Sequence, residues 1–229
     1  MPVSITRRGF IAGGLVALAS GPLANIAQAA SPDIAHGPRT VPNVALTFHG
    51  AGDLTIAHSL LDILKSTKTP VSVFAVGTFL KSEPAIAKRM INDGHDLGNH
   101  TMTHTQMKTI SAKKVDAEIL GCANELKKLI GNHGSWFRPS GTQYSTALIR
   151  KTALKYGYAN CISYDVDSHD YQDPGKAAVI SNVMNNVKNG SIISLHFGHK
   201  NTVDALPALL DQLHAKGLNP VTLTTLLGK

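Results

Sequence analysis

From residue 44 onward, short apolar runs of β type alternate with stretches in which apolar residues recur at helical spacing. In the clearest helix, five apolar residues follow one another at intervals of four, three, four and three: Val115, Ile119, Cys122, Leu126 and Leu129. Gly131 follows this series as a helix stop. The pattern therefore predicts a chain of alternating strands and helices.

Strands are predicted at 44–48, 71–76, 95–98, 136–137, 161–165, 191–196 and 221–226. Helices are predicted at 56–64, 83–93, 115–129, 145–156, 176–188 and 203–216. Strands that alternate with helices indicate an α/β fold with a parallel sheet, and seven such units in about 190 residues favour a closed or nearly closed barrel. An open doubly wound sheet is the alternative. No glycine-rich phosphate-binding pattern follows a predicted strand, which disfavours the nucleotide-binding version of that alternative.

The N-terminal segment has the pattern of an export signal. Arg7 and Arg8 precede an apolar stretch, 11–19, and the small-residue sequence A-Q-A ends at Ala29. A basic start, a short apolar segment and an A-x-A site are typical of a secretory signal peptide, and paired arginines indicate the twin-arginine route. We therefore predict a twin-arginine signal peptide at 1–29 that is cleaved after Ala29.

Residues 30–42 are rich in proline, glycine and serine without periodicity, which predicts a linker before a folded domain at 43–229. A retained N-terminal membrane anchor is the alternative to a cleaved signal. The apolar run is too short and too rich in glycine and alanine for a span of about 20 residues, so no stable anchor is expected. We expect a periplasmic or secreted protein.

Composition and charge narrow the class further. Hydrophobic residues make up 43% of the chain and charged residues 16%, which is typical of a globular protein and excludes disorder. The formal net charge is +7, and loss of 1–29, with two arginines and no acid, leaves +5. The basic residues are spread along the chain, so no nucleic-acid partner is predicted. Cys122 and Cys161 are predicted to be buried small hydrophobic residues, with a disulfide between them as the alternative.

Polar residues collect where the predicted strands end, the edge at which parallel α/β folds place their chemistry. They are His49, His100, His104, Arg138, Asp165, Asp167, Asp170 and His196. Two histidines four residues apart, such as His100 and His104, can bind one divalent ion if the backbone turns helically, and imidazole suits zinc, cobalt or nickel better than magnesium or calcium. The spacing alone is a weak signal among eleven histidines.

Four stretches, in order, resemble the polysaccharide deacetylase family, the NodB-homology group known as carbohydrate esterase family 4. Residues 94–104, G-H-D-L-G-N-H-T-M-T-H, are similar to the family's G-H-x-x-G-N-H-[ST]-x-[ST]-H. Residues 137–141, F-R-P-S-G, resemble a shortened F-R-P-P-Y-G. Residues 164–171, Y-D-V-D-S-H-D-Y, resemble W-x-V-D-S-x-D-W, and 194–196, S-L-H, resembles L-x-H with serine in place of leucine. The resemblance covers nearly all of the domain.

The resemblance implies a distorted (β/α)7 barrel and a divalent metal held by His100 and His104, with zinc expected first and cobalt or nickel next. In this family the metal polarises an acetamide carbonyl and activates a water, a carboxylate takes the water's proton, and a histidine protonates the leaving amine. By resemblance, His196 is that acid and Asp167 holds it.

Further roles follow from the same resemblance. Arg138 would orient the base, and the backbone amide at Ser140 or Gly141 would stabilise the oxyanion. Tyr171, in place of the family's tryptophan, would line the side of the pocket that receives the acetyl methyl group.

The first motif departs from the family. Where its members read T-F-D-D-G, with the first aspartate as base and the second as ligand, this chain reads T-F-H-G-A-G-D over 47–53. In one arrangement Asp53 is the third ligand and His49 lies near the water as base. In the other, His49 completes a three-histidine site and Asp53, beside Arg138, is the base. The first is favoured because two histidines and one carboxylate are a common catalytic set.

These observations predict an exported, metal-dependent hydrolase that removes N-acetyl groups from an acetylated amino-sugar polymer, either chitin, a chito-oligosaccharide or peptidoglycan. The alternatives are a non-catalytic carbohydrate-binding protein on the same fold, an O-acetyl esterase acting on a polymer such as xylan, and a hydrolase of small amides. The expected partner is the polysaccharide, and the protein is expected to be a monomer.

Overall fold

The computed structural model describes residues 32–229, so the predicted signal peptide at 1–29 lies outside the described residues. The strands are β1 (Asn43–Gly50), β2 (Ser72–Ala75), β3 (Asp96–Asn99), β4 (Val166–Asp167), β5 (Ile192–His196) and β6 (Asn219–Val221). The helices are α1 (Leu54–Ser66), α2 (Gly77–Ser82), α3 (Pro84–Asn92), α4 (Ala112–Ile130), α5 (Ala147–Lys155), α6 (Lys176–Met184), α7 (Lys200–Ala215) and α8 (Leu223–Leu227), with a 3-10 turn at Asp170–Gln172.

All strand pairs in the sheet are parallel, in the order β3-β2-β1-β5-β4, and β6 pairs with the start of β1. Beyond β3, single-residue bridges continue the pairing from Asn99 to Phe137 and from Phe137 to Cys161. The predicted α/β class with a parallel sheet is therefore confirmed. The strands predicted around Phe137 and Cys161 are reduced to these bridges, which fits a distorted barrel.

Three local predictions differ from the structure. The last strand is Asn219–Val221 and not 221–226, because Thr222 accepts a hydrogen bond from the amide of Thr225 and thereby caps α8. The short helix α2 was not predicted. The segment predicted as a linker is paired with the folded domain near its described start, since Ile34 bridges Ile162 and His36 bridges Ser191.

Side chains along β1 alternate between the two faces of the sheet, and this alternation determines on which face His49 lies. Val44, Leu46 and Phe48 point into the main core between sheet and helices, whereas Ala45 packs in a second apolar cluster inside the curved sheet. Because successive side chains of a strand point to opposite faces, His49 lies on the inner face together with Ala45. No helix of the described residues is long and apolar enough to cross a membrane.

Candidate functional site

The carboxyl ends of three strands of the sheet, β1, β3 and β5, bring the histidines together. His49 lies near the end of β1, directly opposite His196 at the end of β5. His100 follows β3. These strand ends form one edge of a parallel sheet, the edge at which the sequence predicted the site.

His49, His100 and His104 form a group in which one nitrogen from each ring lies within 4.8 Å of the other two. The closest approach is between Nδ1 of His49 and Nε2 of His100, at 2.8 Å. His100 is fully buried, His49 is partly buried and His104 is exposed. The group is therefore accessible from solvent on the side of His104.

The hydrogen bonds of His100 orient one of its nitrogens toward this group. Its Nδ1 lies 2.9 Å from the backbone carbonyl of Arg138, which can only accept, so Nδ1 carries the proton. Its Nε2 is then unprotonated, and the lone pair on this nitrogen is directed at His49. A backbone carbonyl that fixes the tautomer in this way is typical of metal-binding histidines.

The surroundings keep these rings neutral. Burial lowers the pKa of His49 and of His100 well below the ordinary histidine value, and neighbouring histidines lower both further. Burial, followed by His196, also lowers the pKa of His104. Neutral imidazole is the form that binds metal, so three such donors fit zinc, cobalt or nickel.

The loop that carries His104 is held in an uncommon conformation. Thr101 and His104 have φ values of 69° and 56°, in the left-handed region that costs non-glycine residues about 1–3 kcal/mol each. The buried carboxylate of Glu118 on α4 accepts hydrogen bonds from the amide of Thr103 at 2.8 Å and from its hydroxyl at 2.6 Å. Glu118, which the sequence did not single out, thus fastens the loop to the helix.

Asp53 does not join the histidines, in contrast to the expected arrangements that made it the third ligand or the base. Its carboxylate accepts a hydrogen bond from the amide of Ile56 at 3.0 Å and is the N-cap of α1. The preceding Gly52, at φ 145°, packs so closely against Gly198 that a side chain at Gly52 would collide with it. The glycines therefore direct the chain into α1 and do not fold Asp53 back to the site.

Arg138 lies beneath the histidines and is 1% exposed. It donates hydrogen bonds to the hydroxyl of Thr47 at 2.9 Å and to the carbonyl of Ser163 at 2.9 Å, and its NH1 lies 3.5 Å from Nε2 of His49. No carboxylate of the described residues forms an ion pair with it. Burial lowers the pKa of Arg138 to about 9, so the guanidinium keeps its charge at neutral pH.

Asp170 is the residue that holds His196, whereas the resemblance had given this role to Asp167. Asp170 Oδ1 lies 2.6 Å from Nδ1 of His196, and Oδ2 accepts from the His196 amide at 2.8 Å and from the Thr202 hydroxyl at 2.6 Å. Burial alone would raise the pKa of Asp170, but the hydrogen bonds from His196 and Thr202 lower it below its usual value. Asp167 instead accepts from the backbone amide of His169 at 2.9 Å.

A cavity of about 450 Å³ opens over this group. Its lining consists of His49, His104, Gln106, Gly141, Thr142, Gln143, Tyr164, Tyr171, Ser194 and His196. Gly141 and Tyr171 are thus in the cavity wall, as are Tyr164 and Gln106, to which the sequence gave no role. Ser140 is buried beneath the wall, where its hydroxyl donates to the carbonyl of Thr105 at 2.6 Å.

The two cysteines are both buried and free, so the alternative of a disulfide between Cys122 and Cys161 is not realised in the structure.

Comparison with known proteins places this chain in a family. The polysaccharide deacetylase family model matches residues 36–161. A peptidoglycan-N-acetylglucosamine deacetylase of Bacillus cereus is 32% identical over 195 residues, which cover 82% of this chain and 91% of the relative.

Two solved structures are similar over most of the chain. The crystal structure of the Bc1960 peptidoglycan N-acetylglucosamine deacetylase has a TM-score of 0.81 at 26% identity and covers 91% of this chain and 98% of its own. A variant of BA3943, a carbohydrate esterase family 4 pseudoenzyme of Bacillus anthracis, has restored enzymatic activity; its TM-score is 0.79 at 25% identity, over 85% of this chain and 70% of its own. The chain therefore belongs to the polysaccharide deacetylase family, as its motifs predicted, and the expected enzyme class, a carbohydrate deacetylase acting on C–N bonds, is confirmed at the level of the family.

Proposed function

We propose that this protein is an exported hydrolase that removes N-acetyl groups from an acetylated amino-sugar polymer, such as peptidoglycan or chitin fragments. The proposal is supported above all by the contact, at one cavity, between the His196–Asp170 pair and the three-histidine group. The ring of His196, backed by Asp170, stacks on His49 of the three-histidine group with a centroid distance of 4.3 Å.

In the proposed site, His49, His100 and His104 hold a divalent metal, zinc in preference, and cobalt or nickel otherwise. A bound metal of this kind polarises the acetamide carbonyl and lowers the pKa of a water. This assignment replaces the favoured expectation that Asp53 is a ligand, because the Asp53 carboxylate is engaged at the start of α1.

His196 moves the protons in this proposal. Its Nδ1 is engaged by Asp170, which leaves Nε2 as the nitrogen available to substrate. His196 takes a proton from the water as the water oxygen adds to the carbonyl carbon. It gives that proton to the nitrogen as the C–N bond breaks, so that an amine and acetic acid, which ionises to acetate, are released. Asp170 keeps the imidazole oriented and stabilises its cationic form, as a carboxylate does beside a catalytic histidine.

The cavity wall supplies the remaining contacts. Tyr171 lies beside His196, with ring centroids 5.3 Å apart, and would face the acetyl methyl group. The backbone amide of Gly141, in the same wall, would donate to the oxyanion. Arg138 is a positioning residue, since it is buried and lies 3.5 Å from His49.

Acetate release tests the proposal. The protein is stripped with a chelator and reloaded separately with zinc, cobalt, nickel or magnesium, and acetate is measured with N-acetylated chito-oligosaccharides, peptidoglycan and O-acetylated xylan. We expect release from an N-acetylated substrate with the first three metals and not with magnesium. Release from xylan alone would make the protein an esterase, and no release from any substrate would overturn the enzymatic proposal.

A second candidate is a non-catalytic carbohydrate-binding protein. It is favoured by His49 and Gly50, which replace both aspartates of the family's first motif, and by the similarity to a pseudoenzyme of the same family. Saturable binding of chito-oligosaccharides without acetate release would support this candidate.

Export in this proposal depends on residues 1–29. We propose that the paired arginines send the folded protein through the twin-arginine route to the periplasm or beyond. N-terminal sequencing of the exported protein should begin at Ala30, and replacement of Arg7 and Arg8 by lysine should leave the protein inside the cell.

A further inference from the structure

Two positions at which this chain departs from the family pattern contact each other. His49 stands where the first motif has aspartate, and Ser194 stands where the last motif has leucine. The structure brings Nε2 of His49 within 3.1 Å of the Ser194 hydroxyl. Ser194 is 1% exposed and lies in the cavity wall, so its hydroxyl is largely shielded from solvent.

The hydrogen-bond partners of the neighbouring groups determine which nitrogen of His49 carries a proton. Nε2 of His100 is an acceptor, because its Nδ1 donates to the carbonyl of Arg138. His49 Nδ1, 2.8 Å away, must therefore carry the proton and donate it. Nε2 of His49 is then the acceptor, and it faces the Ser194 hydroxyl at 3.1 Å and the Arg138 guanidinium at 3.5 Å.

Metal binding through Nδ1 requires the opposite tautomer. Nδ1 must release its proton and Nε2 must take one up, so the ring remains neutral with the proton on Nε2. That buried N–H then needs an acceptor. Arg138 has only donors, whereas a serine hydroxyl can both donate and accept, and a leucine could do neither.

We propose that Ser194 is a positioning residue that lets His49 act as a metal ligand, an inference that rests on the proposed three-histidine site. Its hydroxyl donates to Nε2 of His49 in the metal-free protein and accepts from the Nε2–H group in the loaded one. The change from aspartate to histidine in the first motif and the change from leucine to serine in the last are thus parts of one altered metal site.

Metal affinity tests this role without any substrate. Zinc dissociation constants are measured by chelator competition for the full mature protein and for the Ser194→Ala and Ser194→Thr variants. Loss of a partner of a metal-binding histidine typically costs about 10–100-fold in affinity, so we expect that loss in Ser194→Ala and near wild-type affinity in Ser194→Thr. Ser163→Ala is the matched control, because Ser163 is also buried but donates to the carbonyl of Gln143.

Two further measurements separate this role from general packing. In a His49→Asp background, Ser194→Ala should leave zinc affinity unchanged, because no imidazole is left to orient. Nitrogen-15 NMR of the histidines should show the His49 proton on Nδ1 without metal and on Nε2 with zinc.

Several outcomes would overturn the inference: unchanged affinity in Ser194→Ala, an equal loss in Ser163→Ala, or a loaded His49 with its proton still on Nδ1. If Ser194→Ala does not fold, the NMR result on the wild-type protein decides alone. A wild-type protein that binds no zinc overturns the inference together with the three-histidine site. A protein that binds zinc as expected but releases no acetate would contradict only the proposed activity.

Discussion

Asp170 contacts Nδ1 of His196 at 2.6 Å from a fully buried position, and the same carboxylate also receives the hydroxyl of Thr202. We predict that Asp170→Asn lowers kcat about 10²–10⁴-fold, the usual contribution of a positioned acid or base, because the amide no longer stabilises the protonated imidazole. Metal content should not change. Steady-state acetate release and metal analysis of the same preparation check both expectations.

Asp167→Asn is the matched control for this prediction. Asp167 lies on the same stretch of chain, but its carboxylate accepts from the backbone amide of His169. We expect a much smaller loss of kcat in this variant. A larger loss in Asp167→Asn than in Asp170→Asn would restore the role that the family resemblance gave to Asp167.

The three-histidine site predicts a common effect of three substitutions. His49→Ala, His100→Ala and His104→Ala should each lower zinc affinity by more than the 10–100-fold that loss of an outer partner costs, because each removes a donor atom. Metal analysis after dialysis checks this, with circular dichroism to confirm folding. A His49→Ala variant that kept its metal but lost activity would instead make His49 the base.

The regular elements could be predicted from the sequence where one local signal dominates. The apolar spacing of α4 and the αL glycine at its end, Gly131, define a helix whatever surrounds it. The segment after β6 reads equally well as a strand, and only the cap formed by Thr222 makes it α8. Short apolar runs are ambiguous in this way because they contain too few residues to distinguish a helical from a strand periodicity.

The candidate site could be predicted to the extent that it is local. His100 and His104 belong to one motif, so their spacing and position made them candidate ligands, and the structure groups both with His49. The resemblance assigned the partner of His196 to Asp167, whereas Asp170 takes that place in the structure. The sequence could not show this, because both aspartates lie on one short stretch and Thr202, from a distant helix, holds the carboxylate that meets His196. The position of Asp53 depends on the contact between Gly52 and Gly198 in two different loops, and the periodicity of the sequence gives no sign of such a contact.

His95 gives a pH-dependent prediction for stability. Its Nδ1 accepts from the amide of Val71 at 3.3 Å, and its buried Nε2 has no partner among the described residues. Burial lowers the pKa of His95 below its ordinary value, so the unfolded chain binds more protons just below pH 6.5. The free energy of unfolding should therefore fall as the pH drops from 7 to 5, by up to about 1.4 kcal/mol per pH unit from this group.

His95→Asn tests this expectation, since its side-chain oxygen can still accept from Val71 but does not titrate. Urea unfolding of the metal-free protein at pH 7 and pH 5 should show a smaller difference in this variant than in the wild type. His58→Asn, at an exposed histidine, is the control and should keep the wild-type difference. The same pH dependence in all three proteins would contradict the assignment to His95.

Asp53 is the residue at which the expected and the observed sites differ most, and two substitutions distinguish them. As an N-cap of α1, Asp53 can be replaced by asparagine with little effect on stability, whereas Asp53→Ala should lower the free energy of unfolding by about 0.5–2 kcal/mol. Both variants should keep their zinc affinity and kcat, because the carboxylate caps a helix and binds no metal. Chemical denaturation, metal analysis and acetate release are measured on each. Loss of metal in Asp53→Asn would show that the carboxylate reaches the histidines after all, since asparagine preserves the cap but not the charge.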